Sequence, residues 1–188
     1  MIKFFEIPKN ASRFGSLLTM SLRCDRDIII CFLRDPYERF WDACKTIVPS
    51  ISYYNGYPPT GLPKITEYSP LNIDYQAAIA QALKMMNDPQ WIHFRTQSSF
   101  IGNRTFDEVF MVDANLSSNC AALMGKYDIQ TAIENFTFDQ LVNQSPTDLD
   151  KIVISYIKET PAIEQQLASF YAVDFALIGN ISTIKTEV

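Results

Sequence analysis

The chain has 188 residues, 47% of them hydrophobic and 20% charged, with 13% aromatics and 6 glycines; that balance marks a folded globular protein and excludes disordered, collagen-like and low-complexity classes. The length suits one domain able to bury about 70% of its unfolded surface, so residues 1–188 are expected to form a single domain. A net charge of −5 disfavours nucleic acid as a partner, since such binding depends on neutralising phosphates.

MIKFFEIPKN passes from Met into a strand-like stretch without the apolar core of a signal peptide, and the longest apolar run, Ile28 to Leu33, is far shorter than the roughly 18 residues of a membrane span. These features predict a cytoplasmic chain with no membrane partner. Lys3 to Ile7 is apolar and aromatic and ends at Pro8, which cannot donate to a sheet, so KFFEI reads as the first strand. After the turn PKNAS, apolar residues at 14, 17, 18 and 22 predict a helix. DIIICFLR, Asp27 to Arg34, is a near-continuous apolar run of the kind parallel strands show when both faces are covered. Asp35-Pro36 offers a cap acceptor and a helix-compatible first residue, followed by Tyr37, Phe40, Trp41 and Cys44 at helical spacing.

Prolines 49, 58, 59, 63 and 70 with Gly56 and Gly61 make residues 47–72 a Pro/Tyr-rich loop, whose tyrosines suit packing on sugar rings or form a plain surface excursion. A helix over Asp74–Asn87, a strand over Glu108–Asp113, a helix over Ser117–Tyr127 and helices from about Thr147 to Lys158 and Pro161 to Tyr171 follow. Alternation of buried-type strands and helices predicts an α/β fold on a small parallel sheet flanked by helices, with a helical C-terminal portion. Ligands of such sheets sit at the carboxyl ends of strands, here the turns after Ile7 and after Arg34.

The charge distribution points the same way. Residues 1–45 carry eight bases against six acids, whereas the remainder carries eight against fifteen. Cys24, Cys31, Cys44 and Cys120 lack any C-x-x-C pair and His93 is the single histidine, so no zinc set and no metal site is expected. The turn Pro8 to Ser16 leads a strand into a helix N-terminus, where backbone N–H groups favour an anion beside Lys9; the alternative is an ordinary capped turn with a solvated lysine. In Leu33 to Phe40, Arg34 and Arg39 offer forked donors to phosphate, or Asp35 caps while Glu38 and Arg39 are solvated surface charges.

Strand, I-P-K-N-A-S, helix, then strand, F-L-R-D-P-Y-E-R-F, helix resembles the paired phosphate-binding motifs of sulfotransferases that use 3′-phosphoadenosine 5′-phosphosulfate (PAPS), especially the carbohydrate branch that includes heparan sulfate 2-O-sulfotransferases. Gln90 to Gln97 is similar to a family segment with a histidine, a following aromatic and a glutamine. Asp107 to Asp113 with Asn115-Leu116 resembles the strand and turn that come next, and Tyr171 to Phe175 the family's closing tyrosine, aspartate and aromatic.

The resemblance implies a P-loop-like three-layer domain that moves a sulfuryl group from PAPS, as co-substrate and without a metal, to a hydroxyl acceptor such as a saccharide. It implies that Lys9 contacts the bridging or sulfuryl oxygens and that Asn10, Ala11, Ser12, Arg13 and Phe14 offer backbone N–H groups to the 5′-phosphate, Ser12 adding its hydroxyl. Arg34 would bind the 3′-phosphate, and Arg39 would support that phosphate or brace its helix. Asp42 stands where the family places a phosphate-binding hydroxyl; a carboxylate there repels phosphate unless it turns away or pairs with Arg39 or Lys45. His93 would be the base for the acceptor hydroxyl. The alternatives are a catalytically inactive binding protein of the same fold, for which Asp42 and Phe14 speak, and a nucleotide or small-metabolite kinase, against which the missing Walker-type lysine–hydroxyl pair speaks.

Overall fold

The computed structural model describes residues 1–23, 25, 27–47, 74–131 and 147–184. Their elements, in chain order, are β1 (Ile2–Phe5), α1 (Ser12–Ser21), β2 (Leu22–Arg23), β3 (Ile28–Leu33), α2 (Pro36–Ile47), α3 (Tyr75–Met85), α4 (Gln97–Ile101), β4 (Glu108–Met111), α5 (Leu116–Tyr127), β5 (Gln130–Thr131), α6 (Asp148–Glu159), α7 (Pro161–Phe170) and α8 (Ala172–Ile184). The chain forms two compact units interleaved in sequence. The first comprises Met1–Asp35, Thr96–Ser145 and Ala172–Val188, the second Pro36–Arg95 and Pro146–Tyr171.

The first unit is α/β. Its three-stranded parallel sheet has the order β1-β3-β4, with Ile2 opposite Ile28 and Ile30 opposite Glu108. Successive side chains of β3 point to opposite faces. Ile28, Ile30 and Phe32 join Leu18 of α1 and Leu116, Cys120 and Leu123 of α5 in one core cluster. Cys31 and Leu33 join Ile7 in another, against which Phe100 and Ile101 of α4 and Leu177 and Ile178 of α8 pack. Helices therefore cover both faces, which is why DIIICFLR is almost unbroken in apolar residues. A separate two-stranded antiparallel sheet pairs β2 with β5.

β1 begins and ends earlier than the KFFEI reading, because the Ile7 carbonyl accepts the Asn10 N–H at 3.0 Å and the chain is already turning there. Gly15 explains how closely α1 lies on this strand. A Cβ there would stand 2.5 Å from Phe4 Cε1 and 2.6 Å from Phe4 Cγ, far inside the ordinary contact distance of roughly 3.5–4.0 Å.

The second unit is helical. α2 packs on α3 and α6, and α6 on α7, around buried Phe40, Trp41, Cys44, Ile79, Ala82, Phe94, Val153 and Ile157. Asp74 caps α3 by accepting the Ala77 N–H at 2.8 Å, and Thr147 with Asp150 forms a reciprocal capping box at the start of α6. Polar tips of buried aromatics find partners. Trp41 Nε1 donates to Asp150 at 2.6 Å, Tyr37 Oη to Glu164 at 2.8 Å and Tyr171 Oη to the Phe94 carbonyl at 2.8 Å. The Pro/Tyr-rich loop expected at 47–72 lies, beyond Ile47, outside the described residues. Among the described residues no helix is long and apolar enough to cross a membrane.

Candidate functional site

Two turns meet at the carboxyl ends of neighbouring parallel strands in the first unit. The turn after β1 places Lys9 at φ 68° and Ala11 at φ 54°, left-handed conformations that cost a non-glycine residue about 1–2 kcal/mol each. Left-handed residues of this kind recur in the turns that form anion-binding concavities; here the intervening Asn10 N–H is taken by the Ile7 carbonyl at 3.0 Å. The first helical bond of α1 runs from the Gly15 N–H to the Ala11 carbonyl at 2.9 Å, so the N–H groups of residues 12–14 open the helix without an acceptor inside it. The side chains of Ser12, Arg13 and Phe14 lie outside the described part of the structure.

The turn after β3 begins at Arg34. Its guanidinium Nη1 lies 3.5 Å from the Lys9 carbonyl, which brings the two sequence-predicted cations' segments together. What fixes this juxtaposition is a set of amide hydrogen bonds. Asn10, with no exposed surface, donates from Nδ2 to the Phe32 carbonyl at 2.7 Å and to Gln97 Oε1. Gln97, also fully buried, accepts the Arg34 N–H on the same Oε1 at 2.9 Å and returns a bond from Nε2 to the Arg34 carbonyl at 2.8 Å. One glutamine thereby mimics a neighbouring strand for Arg34 while gripping the first turn through Asn10. Asp174 of α8 in turn accepts the Gln97 N–H at 2.7 Å and the Ser98 N–H at 2.9 Å, and it too is fully buried.

Gln97 and Asp174 are site residues to which the sequence alone gave no role. The signal was present as the glutamine of Q-W-I-H-F-R-T-Q and the aspartate of Y-A-V-D-F, two of the segments that carry the resemblance.

Three further sequence-predicted residues belong to the second unit. Arg39, within α2, is fully buried, so it is not the solvated surface charge that one reading of its segment held open. Asp42 is paired with Lys45 one turn on, and Lys45 also reaches Asp150 at 2.9 Å. This is one of the two pairings that would neutralise the carboxylate. Burial alone would lower the Lys45 pKa, but the attraction of Asp42 and Asp150 outweighs it and raises the pKa. His93 sits in the turn before Phe94, whose ring packs on Phe40 at 5.6 Å and whose carbonyl receives Tyr171.

Cys31, Cys44 and Cys120 are buried free thiols. Desolvation pushes Cys31 up to about 12 and raises Cys44 as well, which removes their thiolate character. Among the described residues no group of three or more His, Cys, Asp or Glu is placed to hold a metal ion. Compared with protein-family models, with curated proteins and with solved structures, the chain has no match.

Proposed function

We propose that this chain is a sulfotransferase that moves a sulfuryl group from PAPS to a hydroxyl acceptor, with a saccharide as the acceptor class the resemblance favours and a P-loop-like reading of its sheet and helices. The observation that carries this reading is the left-handed turn around Lys9 and Ala11, opening α1, beside Arg34 at the end of the adjacent strand. A concavity of backbone N–H groups at a helix N-terminus suits one phosphate. An arginine at the neighbouring strand end suits a second. A nucleotide phosphorylated at both 5′ and 3′ positions has that pair of anions.

In the reaction the acceptor oxygen bonds to sulfur as the bond from sulfur to the phosphate oxygen breaks, and adenosine 3′,5′-bisphosphate departs with that electron pair. Lys9 stabilises the charge that gathers on the departing phosphate. The N–H groups of residues 11–14 and the Ser12 hydroxyl hold the 5′-phosphate, and Arg34 the 3′-phosphate; the Asn10 N–H, expected among these donors, is instead given to the Ile7 carbonyl. The resemblance alone gives Arg39 the support of that second phosphate and His93 the acceptor's proton. Pairing with Lys45 supports a tolerable Asp42 on this reading, because a cation it shares with Asp150 already offsets part of the carboxylate's charge.

Calorimetric titration with adenosine 3′,5′-bisphosphate, without metal, tests the donor site. Saturable binding is expected, lost in Lys9→Ala. Arg34→Ala should weaken the bisphosphate about 10–100-fold, the equivalent of a charge-assisted contact of roughly 1.5–3 kcal/mol, while leaving adenosine 5′-monophosphate nearly unaffected. Equal losses for both nucleotides would refute the role given to Arg34, and binding of ATP only with Mg²⁺ would favour a kinase instead.

A further inference from the structure

From the amide bonds that join the two turns we infer that Gln97 is a positioning residue which sets the distance between the two phosphate sites, and that Asp174 holds it in place; the inference rests on the donor site proposed above. Three features carry it. Gln97 Oε1 accepts from both turns at once, from Asn10 Nδ2 and from the Arg34 N–H. Its Nε2 bond to the Arg34 carbonyl fixes the amide's orientation, so the side chain cannot serve one turn without being aligned for the other. The Asp174 carboxylate then anchors the backbone at Gln97 and Ser98, and all three of Asn10, Gln97 and Asp174 are excluded from water.

The side-chain hydrogen bonds of Gln97 run from the main chain of Arg34, past the end of β3, to the side-chain amide of Asn10 in the turn after β1. A ligand touching only the turn at Lys9 needs that turn alone. A ligand with two phosphates needs the turn and Arg34 at a fixed separation, and an ångström of misplacement weakens such simultaneous contacts steeply. Loosening the tie therefore penalises the doubly phosphorylated nucleotide selectively, whereas a residue that merely supports the fold would lower stability and affect both nucleotides alike.

The test titrates the wild-type chain, Gln97→Met and Gln97→Glu with adenosine 3′,5′-bisphosphate and adenosine 5′-monophosphate. Methionine keeps the length and makes no such bonds. Glutamate keeps an acceptor for Asn10 and Arg34, loses the donor to the Arg34 carbonyl and adds a buried negative charge. In folded Gln97→Met, shown by cooperative urea unfolding, the preference for the bisphosphate should fall about tenfold or more, with the monophosphate changed less than about threefold; Gln97→Glu should recover part of the preference. If the methionine variant does not fold, Asp174→Asn, which loses one of the two acceptors that anchor Gln97 and Ser98, is read in its place by the same ratio. An unchanged ratio in a folded variant overturns the positioning role while leaving the donor site standing. Failure of the wild-type chain to bind either nucleotide overturns the donor site, and the inference with it.

Discussion

Replacing Gly15 by alanine perturbs the contact that brings α1 onto β1. The new methyl would lie 2.5 Å from Phe4 Cε1 and 2.6 Å from Phe4 Cγ, about 1 Å inside normal contact. Because the overlap includes the root of the ring, spinning the ring about its Cβ–Cγ bond does not clear it, and the ring is backed by Phe32 at a centroid distance of 5.0 Å. The helix has to move outward instead. Overpacking of this kind costs about 1–3 kcal/mol, offset by the roughly 0.5–1 kcal/mol that alanine gains over glycine inside a helix. The net expectation is a loss of up to about 2.5 kcal/mol, seen in urea unfolding as a lower midpoint at unchanged slope and as a melting temperature lower by up to roughly 10 °C for a chain of this size. Gly125 is the control. It lies exposed in α5 with nothing within 4 Å of an added Cβ, so Gly125→Ala should gain about 0.5–1 kcal/mol. A Gly15→Ala variant as stable as Gly125→Ala would refute the steric argument.

Lys45→Met should reduce stability by about 1–3 kcal/mol at pH 7 and flatten the acid limb of the stability curve. Burial alone would raise the Asp150 pKa, but bonds from Lys45 and Thr147 outweigh it and lower the pKa. The contribution is then complete above about pH 4 and is lost as pH falls through the folded value, because the unfolded chain binds the proton first. An acid limb identical to wild type in chemical unfolding between pH 2 and 7 would contradict this. The thiols of Cys31 and Cys44, kept protonated by burial, should stay unmodified by iodoacetamide in the native chain at pH 8.5 and react in concentrated urea. Peptide mass spectrometry showing comparable native alkylation would disprove their burial.

How much was legible in the sequence depended on how local the cause was. β3 was clear because both of its faces are covered, leaving hardly a polar position in DIIICFLR. The starts of α3 and α6 were clear because Asp74 and Thr147 act on N–H groups three residues ahead. The short helix α4 was not foreseen. It holds five residues and its first N–H groups are held by Asp174, 76 and 77 positions away, so no periodicity announces it. The two-residue strands β2 and β5 were equally silent, since a pairing of that length leaves no alternation. At the candidate site the cations were visible as residue types. The left-handed turn was not, because neither Lys9 nor Ala11 is the glycine that normally signals one. Spacing suggested Lys45 as a partner for Asp42, whereas Asp150, the second carboxylate on that lysine, comes from a distant helix.

The tie that Gln97 and Asn10 make between the two turns is of neutral amides and peptide groups, beside the guanidinium contact of Arg34 with the Lys9 carbonyl, while Lys45 is held among carboxylates. Ionic strength separates the two kinds of contact, since mobile ions screen charges and leave amide hydrogen bonds almost untouched. At the proposed donor site, raising the salt concentration should therefore weaken the pull on an incoming anion without changing the spacing at which Asn10 and Arg34 are set, so that the steepness of a salt titration would count the charges that meet the nucleotide.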